Sequence, residues 1–213
     1  VREFGNGVLI AHRSPWSWMQ SERFLVIDFE ATCCDRGTVP RDHMEIIEIG
    51  AVMVERQRDQ FKVVDEFQSF VRPVRHPRLT AFCTALTSIT QRDVDDAPSF
   101  VEVMTQFRSW LYRYDGFVFG SWGDYDLKQL RQDCDYHQVP YPIGAQHVNL
   151  KRAFTEAQGL KKKPGLGEAI EGAGLTFEGV HHRGIDDARN IARLLPLVFR
   201  AQEGTAVTAI RHF

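Results

Sequence analysis

The order of hydrophobic periodicities along this 213-residue chain predicts an α/β fold built on a mixed sheet. Three observations predict it. Dense apolar runs rich in strand formers come early in the sequence. A stretch of helical spacing then separates them from the rest, and strands alternate with helices towards the C-terminus. No internal repeat and no domain-splitting linker interrupts the pattern.

The first run, Phe24-Leu-Val-Ile-Asp-Phe-Glu30, is continuous rather than alternating, which predicts a central strand covered on both faces. Ile46 to Glu55 and Glu66 to Arg72, the latter closed by Pro73, read as two further strands, so the first three form a meander. Past Pro77, residues Phe100, Val103, Met104, Phe107, Trp110 and Leu111 fall on one face of a helix begun near Pro98 and Ser99. Gly116 to Gly120 supplies a fourth strand, followed by a turn and a helix from Asp126 to Tyr136. His147 to Leu150 is a short fifth strand, a helix follows to Gln158, and a Gly-rich stretch runs on to Gly184. The last helix, Asp186 to Arg200, carries aspartates in its first turn, where the helix dipole favours anions, and Pro196 is expected to kink it or end it early. Residues 1–21 have no period and read as a leader, 22–200 as one folded unit, and 201–213 as a tail.

Hydrophobic residues make up 43% of the chain and charged ones 25%, the composition of a globular protein with a core. No apolar run approaches the roughly 20 residues that span a bilayer, and the N-terminus lacks a basic-then-apolar signal layout. The expectation is an intracellular protein, cytoplasmic or nuclear, without a membrane partner. Cys33, Cys34, Cys83 and Cys134 form no CxxC pair and no zinc-type cluster, so they read as free thiols. The net charge of −2 advertises no general affinity for polyanions, but Leu127 to Lys163 holds seven basic and three acidic residues, a local excess of +4. A basic wall beside an acidic site suits a phosphate-bearing substrate, although Lys161 to Lys163 reads equally well as a solvated loop.

Three motifs carry chemistry. Asp28 and Glu30 are two apart on a predicted strand, so their side chains share a face about 7 Å apart along the chain. Burying both in so apolar a strand costs several kcal/mol unless something compensates, and divalent cations compensate best. Next, Gly123-Asp-Tyr-Asp126 puts Asp126 at the C-terminal end of a strand where a helix begins, a favoured ligand position in α/β folds, though Asp124 or Asp126 could simply cap the helix. Last, His182-Arg-Gly-Ile-Asp-Asp187 presents a histidine five residues before an aspartate, with Asp186 the residue better suited to capping.

In this order the motifs resemble those of the DEDDh exonucleases, the DnaQ-like branch of the RNase H-like superfamily, and most closely the Eri-type enzymes related to the 3′ histone mRNA exonuclease. The resemblance includes VIDFEATC (26–33), EIIEIGAV (45–52), SFVRP (69–73), LTAFCTALTSITQRDVDDAP (79–98) and HRGIDDARNIARL (182–194). It implies an RNase H-like mixed five-stranded sheet flanked by helices on both faces, with residues 22–200 as the exonuclease domain. It also implies a 3′-to-5′ exonuclease that releases nucleoside 5′-monophosphates from a free 3′-OH end of single-stranded RNA or RNA 3′ overhangs, with DNA a further possible substrate. By the same resemblance Asp28, Glu30, Asp126 and Asp187 hold two Mg²⁺ or Mn²⁺ ions, Glu30 also touches the terminal nucleotide, and His182 takes the proton from the attacking water. The backbone at Ala31 and Thr32 is expected to line the terminal-nucleotide pocket, and an apolar side chain between Phe82 and Leu86, Phe82 for preference over Trp122, to wedge against the last bases. A DNA-directed exonuclease of the same fold is the alternative. A non-catalytic nucleic-acid-binding module is a weaker one, because all five groups are present.

Overall fold

The structure, a computed structural model, describes residues 17–200. The first sixteen residues of the expected leader and the whole expected tail lie outside the described residues. The end of the leader belongs to the core: Ser17–Gln20 forms a 3-10 turn whose Trp18 is buried, edge-on to Phe199 at 5.5 Å.

Five strands, β1 (Arg23–Ala31), β2 (Ile46–Gln57), β3 (Gln60–Phe70), β4 (Phe117–Ser121) and β5 (His147–Asn149), form one sheet in the order β3-β2-β1-β4-β5. The pairs β1–β2 and β2–β3 are antiparallel, whereas β1–β4 and β4–β5 are parallel. The mixed sheet and its meander are therefore as the sequence predicts. β1 is central because both of its faces are apolar. Phe24 and Val26 enter the cluster built with helices α5 (Leu150–Ala157), α6 (Leu166–Gly172) and α7 (Gly184–Arg200). Leu25, Ile27 and Phe29 enter the opposite cluster, built with α3 (Phe100–Leu111) and α4 (Tyr125–Tyr136). Two short helices, α1 (Ala81–Thr87) and α2 (Gln91–Asp95), start at the capping residues Thr80 and Thr90, and their Cys83 and Val94 join Ile47 of β2 and Ile89 in a third, smaller cluster.

Several boundaries differ from expectation. β3 begins at Gln60 rather than Glu66 and stops at Phe70, because the chain reverses through Arg58 and Asp59, with Arg58 at φ 57°, and forms an edge strand of alternating exposure. Such a strand shows less apolar density than a central one. The Gly-rich stretch contains α6, whose Leu166, Ala169 and Ile170 are buried and whose Gly165 amide donates to Glu168 at 2.6 Å. Pro196 does not end α7, which runs to Arg200. Phe199 packs against Phe24 and Phe61 at 5.4 and 5.0 Å between ring centres, and that burial holds the turns beyond the proline. Among the described residues, no helix is long and apolar enough to cross a membrane.

Candidate active site

β1 and β4 run parallel, so their C-terminal ends open on the same side of the sheet, and the sequence-predicted carboxylates gather there. Asp28 and Glu30 lie towards the C-terminal end of β1, opposite Gly50 and Glu48 of β2. Asp126 sits in the first turn of α4, just past β4, where its Oδ1 accepts from the Phe29 amide at 3.0 Å and so ties α4 to β1. It spends that oxygen on β1 and not on a helix cap, and Asp124, at the N-cap position, makes no side-chain cap bond either. Asp187 lies in the first turn of α7, and its Oδ2 accepts from the His182 amide at 3.1 Å.

Glu30, His182 and Asp187 offer ligand atoms that all lie within 4.8 Å of one another. His182, rather than the exposed His181, faces the carboxylates because the backbone there turns through a left-handed conformation, φ 62°. The two rings meet edge-on at 4.2 Å.

The packing of α7 on the sheet depends on two glycines. A Cβ at Gly50 would lie 2.0 Å from the Gly184 backbone, and one at Gly184 would lie 2.9 Å from the Asp28 carbonyl oxygen. The start of α7 therefore rests directly on the backbones of β1 and β2, which only glycine permits.

Burial leaves these acids poorly solvated. Asp28 is held well above the usual carboxylate range, first by desolvation and then by the charges of Asp126, Asp187, Glu30 and Glu48. Desolvation, with Asp187 as the leading neighbouring charge, pushes Glu30 up to about 9. Asp187 rises to about 7 and Asp126 to about 6, both by burial, and in each the amide hydrogen bond already named opposes the rise. Burial followed by the neighbouring His181 lowers His182, so its ring is neutral at pH 7. Among the described residues no lysine or arginine pairs with any of the four acids, and the buried Oδ1 of Asp187 has no hydrogen-bond partner. Clustered hard oxygen donors without a protein cation, one of them orphaned, fit a divalent metal ion.

Ala31 and Thr32 are buried at the end of β1, where Thr32 exchanges two bonds with Glu45. Cys83 of α1 contacts the Ala31 carbonyl at 3.6 Å and docks that helix against the strand end. Phe82 and Leu86 are exposed on the same helix, at 39% and 37%, so Phe82 is not a core residue. Trp122 instead packs on Phe154 and donates to the Pro164 carbonyl. Asp186 accepts from the Val180 amide and from Arg189. The seven basic residues of 127–163 divide among α4, α5 and the bend before α6.

Sequence reasoning missed Glu48. It is fully buried on β2 and accepts from Arg183 Nε at 3.0 Å, Arg183 Nη2 at 3.2 Å, the Gly184 amide at 3.1 Å and Gln68 at 2.7 Å. The available signal was the same one that marked Asp28, a single carboxylate inside an otherwise apolar strand, IIEIGAVMV.

The exonuclease family model matches residues 25–195. ERI1 exoribonuclease 3 of Mus musculus is 36% identical over 200 residues, covering 90% of this chain and 58% of the mouse protein. The probable 3′-5′ exonuclease KapD of Bacillus subtilis is 32% identical over 181 residues, covering 84% of this chain and 86% of its own. The chain spans little more than half the length of the Eri relatives from mouse, cattle and man. Among solved structures, the nuclease domain of 3′hExo, a DEDDh family member bound to rAMP, superposes with a TM-score of 0.75 at 30% identity, covering 87% of this chain and 94% of that one. On this match and this geometry the chain belongs to the exonuclease family, in its DEDDh branch beside the Eri-type enzymes.

Proposed function

We propose that the protein is a 3′-to-5′ exonuclease that removes nucleoside 5′-monophosphates from the free 3′-OH end of single-stranded RNA or RNA 3′ overhangs. The observation that carries this reading is the gathering of four cation-free carboxylates at the ends of β1 and β4 with the neutral ring of His182 beside Glu30 and Asp187. RNA is favoured because the Eri relatives are named exoribonucleases and the superposable nuclease domain holds a ribonucleotide.

Asp28, Glu30, Asp126 and Asp187 would hold two Mg²⁺ or Mn²⁺ ions. Bound there, such ions would acidify a water and stabilise charge on the phosphate and the leaving 3′-oxygen. The chain's own groups do the rest. His182, neutral at pH 7, accepts the proton of the attacking water at a ring nitrogen. The Phe29 amide fixes Asp126 and the His182 amide fixes Asp187, so neither carboxylate has to reorganise. The backbone at Ala31 and Thr32 lines the terminal-nucleotide pocket, and the exposed Phe82 and Leu86 present apolar surface on which bases stack with little regard for sequence.

The test is to incubate the protein with 5′-labelled single-stranded RNA, single-stranded DNA and a stem-loop, with Mg²⁺ or EDTA, beside Asp126→Asn and His182→Ala. A metal-dependent ladder shortening from the 3′ end, strongest on RNA and lost in both variants, is expected. Internal cuts, or full activity in both variants, would overturn the reading, and a faster ladder on DNA would reassign the substrate.

A further inference from the structure

A second concave surface adjoins the carboxylate cluster, between α4 and the 3-10 turn Arg41–His43 in the β1–β2 connection. This cleft of about 430 Å³ is lined by Arg41, Asp42, Tyr125, Lys128, Gln129 and Gln132. It is built rather than accidental: the side-chain amides of Gln129 and Gln132 both donate to the Met44 carbonyl at 2.8 Å and clamp the turn to the helix. Tyr125, in the cleft wall, immediately precedes Asp126 at the start of α4.

The cleft's charges are unspent. Arg41 and Lys128 are exposed, and among the described residues neither forms an ion pair. Asp42 offsets one of them, leaving a net positive lining beside four carboxylates. Two solvated cations at the rim of an acidic site attract a ligand that carries several phosphates, whereas a single nucleotide would engage the site alone.

We propose that this cleft seats the phosphodiester backbone of the substrate strand next to the metal cluster, with Arg41 and Lys128 as its phosphate contacts. The proposal rests on the nuclease reading and extends it from the terminal nucleotide to the strand behind it.

The experiment is fluorescence anisotropy of a 5′-fluorescein single-stranded RNA twelve-mer, with Ca²⁺ in place of Mg²⁺, in KCl from 50 to 200 mM. The proteins compared are the wild type, Arg41→Gln/Lys128→Gln, Asp42→Asn and Lys62→Gln. Lys62 is exposed on β3, facing Glu55 at the opposite end of the sheet, and serves as the control. Each phosphate contact removed from a single strand lowers the slope of log Kd against log salt by about 0.7, so the double variant loses about 1.4. Its affinity deficit then shrinks about sevenfold between 50 and 200 mM. Asp42→Asn is expected to bind more tightly, a change that misfolding does not produce, and Lys62→Gln is expected to match the wild type. An unchanged slope in the double variant, weaker binding by Asp42→Asn, or an equal loss in Lys62→Gln would overturn the proposal. A separate arm tests the underlying reading: failure of the wild type to shorten the same RNA from its 3′ end with Mn²⁺ would refute the nuclease site, and the binding series in Ca²⁺ would still decide the cleft.

Discussion

Glu48→Ala would separate the residues that assemble the active site from those that act in it. The Glu48 carboxylate takes four hydrogen bonds, and its loss leaves the Arg183 guanidinium without its ion pair and the Gly184 amide without an acceptor at the start of α7. Breaking a buried pair by removing one partner costs about 3–5 kcal/mol. The Arg183 side chain retains 24% of its exposure, so water recovers part of that loss and the lower end, about 3 kcal/mol, applies. One relief opposes it: Glu48 faces Glu30 across the strand pair and raises Asp28, Glu30 and Asp187, so its removal eases their repulsion. In a domain of this size 3 kcal/mol lowers Tm by about 6–12 °C. Glu48→Gln, which keeps an acceptor for Gly184, should lose about half as much. Thermal unfolding followed by circular dichroism in EDTA measures the fall. The same variants report on position, because Glu48 anchors the segment that carries His182 and Asp187. A shift of about 1 Å there should cost about a hundredfold in kcat. A Glu48→Ala protein that melts within about 1 °C of wild type and turns over normally would refute the assignment of Glu48 as the anchor of this segment.

Three further outcomes follow from the same geometry. The raised pKa values of Glu30 and Asp187, about 9 and 7, mean that the metal-free fold binds more protons than the unfolded chain, so its stability falls as pH rises from about 4 to 9. Mg²⁺ or Mn²⁺ should offset part of that fall, adding about 2.7 kcal/mol at a hundred times Kd; calorimetry that finds the metal-induced rise in Tm no larger at pH 8.5 than at pH 6 would contradict this. His182→Asn keeps a residue tolerant of the left-handed backbone, so Tm should hold while kcat drops about 10²- to 10⁴-fold, and retention of activity would dismiss His182 as the base. Gly50→Ala forces a methyl into the Gly184 backbone and should destabilise by at least about 1–3 kcal/mol, checked by urea denaturation.

What was legible in the sequence was whatever depended on local pattern. β1 announced itself as central through a run apolar on both faces. The string HRGIDDARNIARL marked His182 and Asp187, which the structure groups with Glu30, whereas the five-residue spacing alone is shared by His181 and Asp186. What escaped depended on distant partners. Glu48 and Arg183 are 135 residues apart, and nothing near either one reveals the pairing. α6 was hidden by its glycines, although burial of Leu166, Ala169 and Ile170 outweighs their weak propensity. Pro196 gave a true local signal that was overridden, because Phe199 buries its ring beyond it. The cleft beside Tyr125 draws on two segments more than eighty residues apart, which tertiary bonds such as the clamp through Met44 bring together.

The carboxylates themselves make a final distinction between structural and functional burial. Glu48, Glu45 and Asp133 are as deeply buried as Asp126 and Asp187, yet each has an arginine: Arg183 for Glu48, and Arg75 for both Glu45 and Asp133. Glu45 further accepts from the amides of residues 74–76, and Asp133 from that of Ile46. These acids are neutralised within the protein and serve to hold loops and strands in place. Asp28, Glu30, Asp126 and Asp187 have no cation among the described residues, and the amides of Phe29 and His182 serve only Asp126 and Asp187. Their raised pKa values measure the electrostatic strain that remains. A cation from solution relieves it, so the same four groups should weaken the metal-free fold and strengthen the metal-bound one. Asp126→Asn would then melt no lower than wild type in EDTA but clearly lower in saturating Mn²⁺, and a variant less stable in both conditions would place Asp126 with Glu48 among the structural acids.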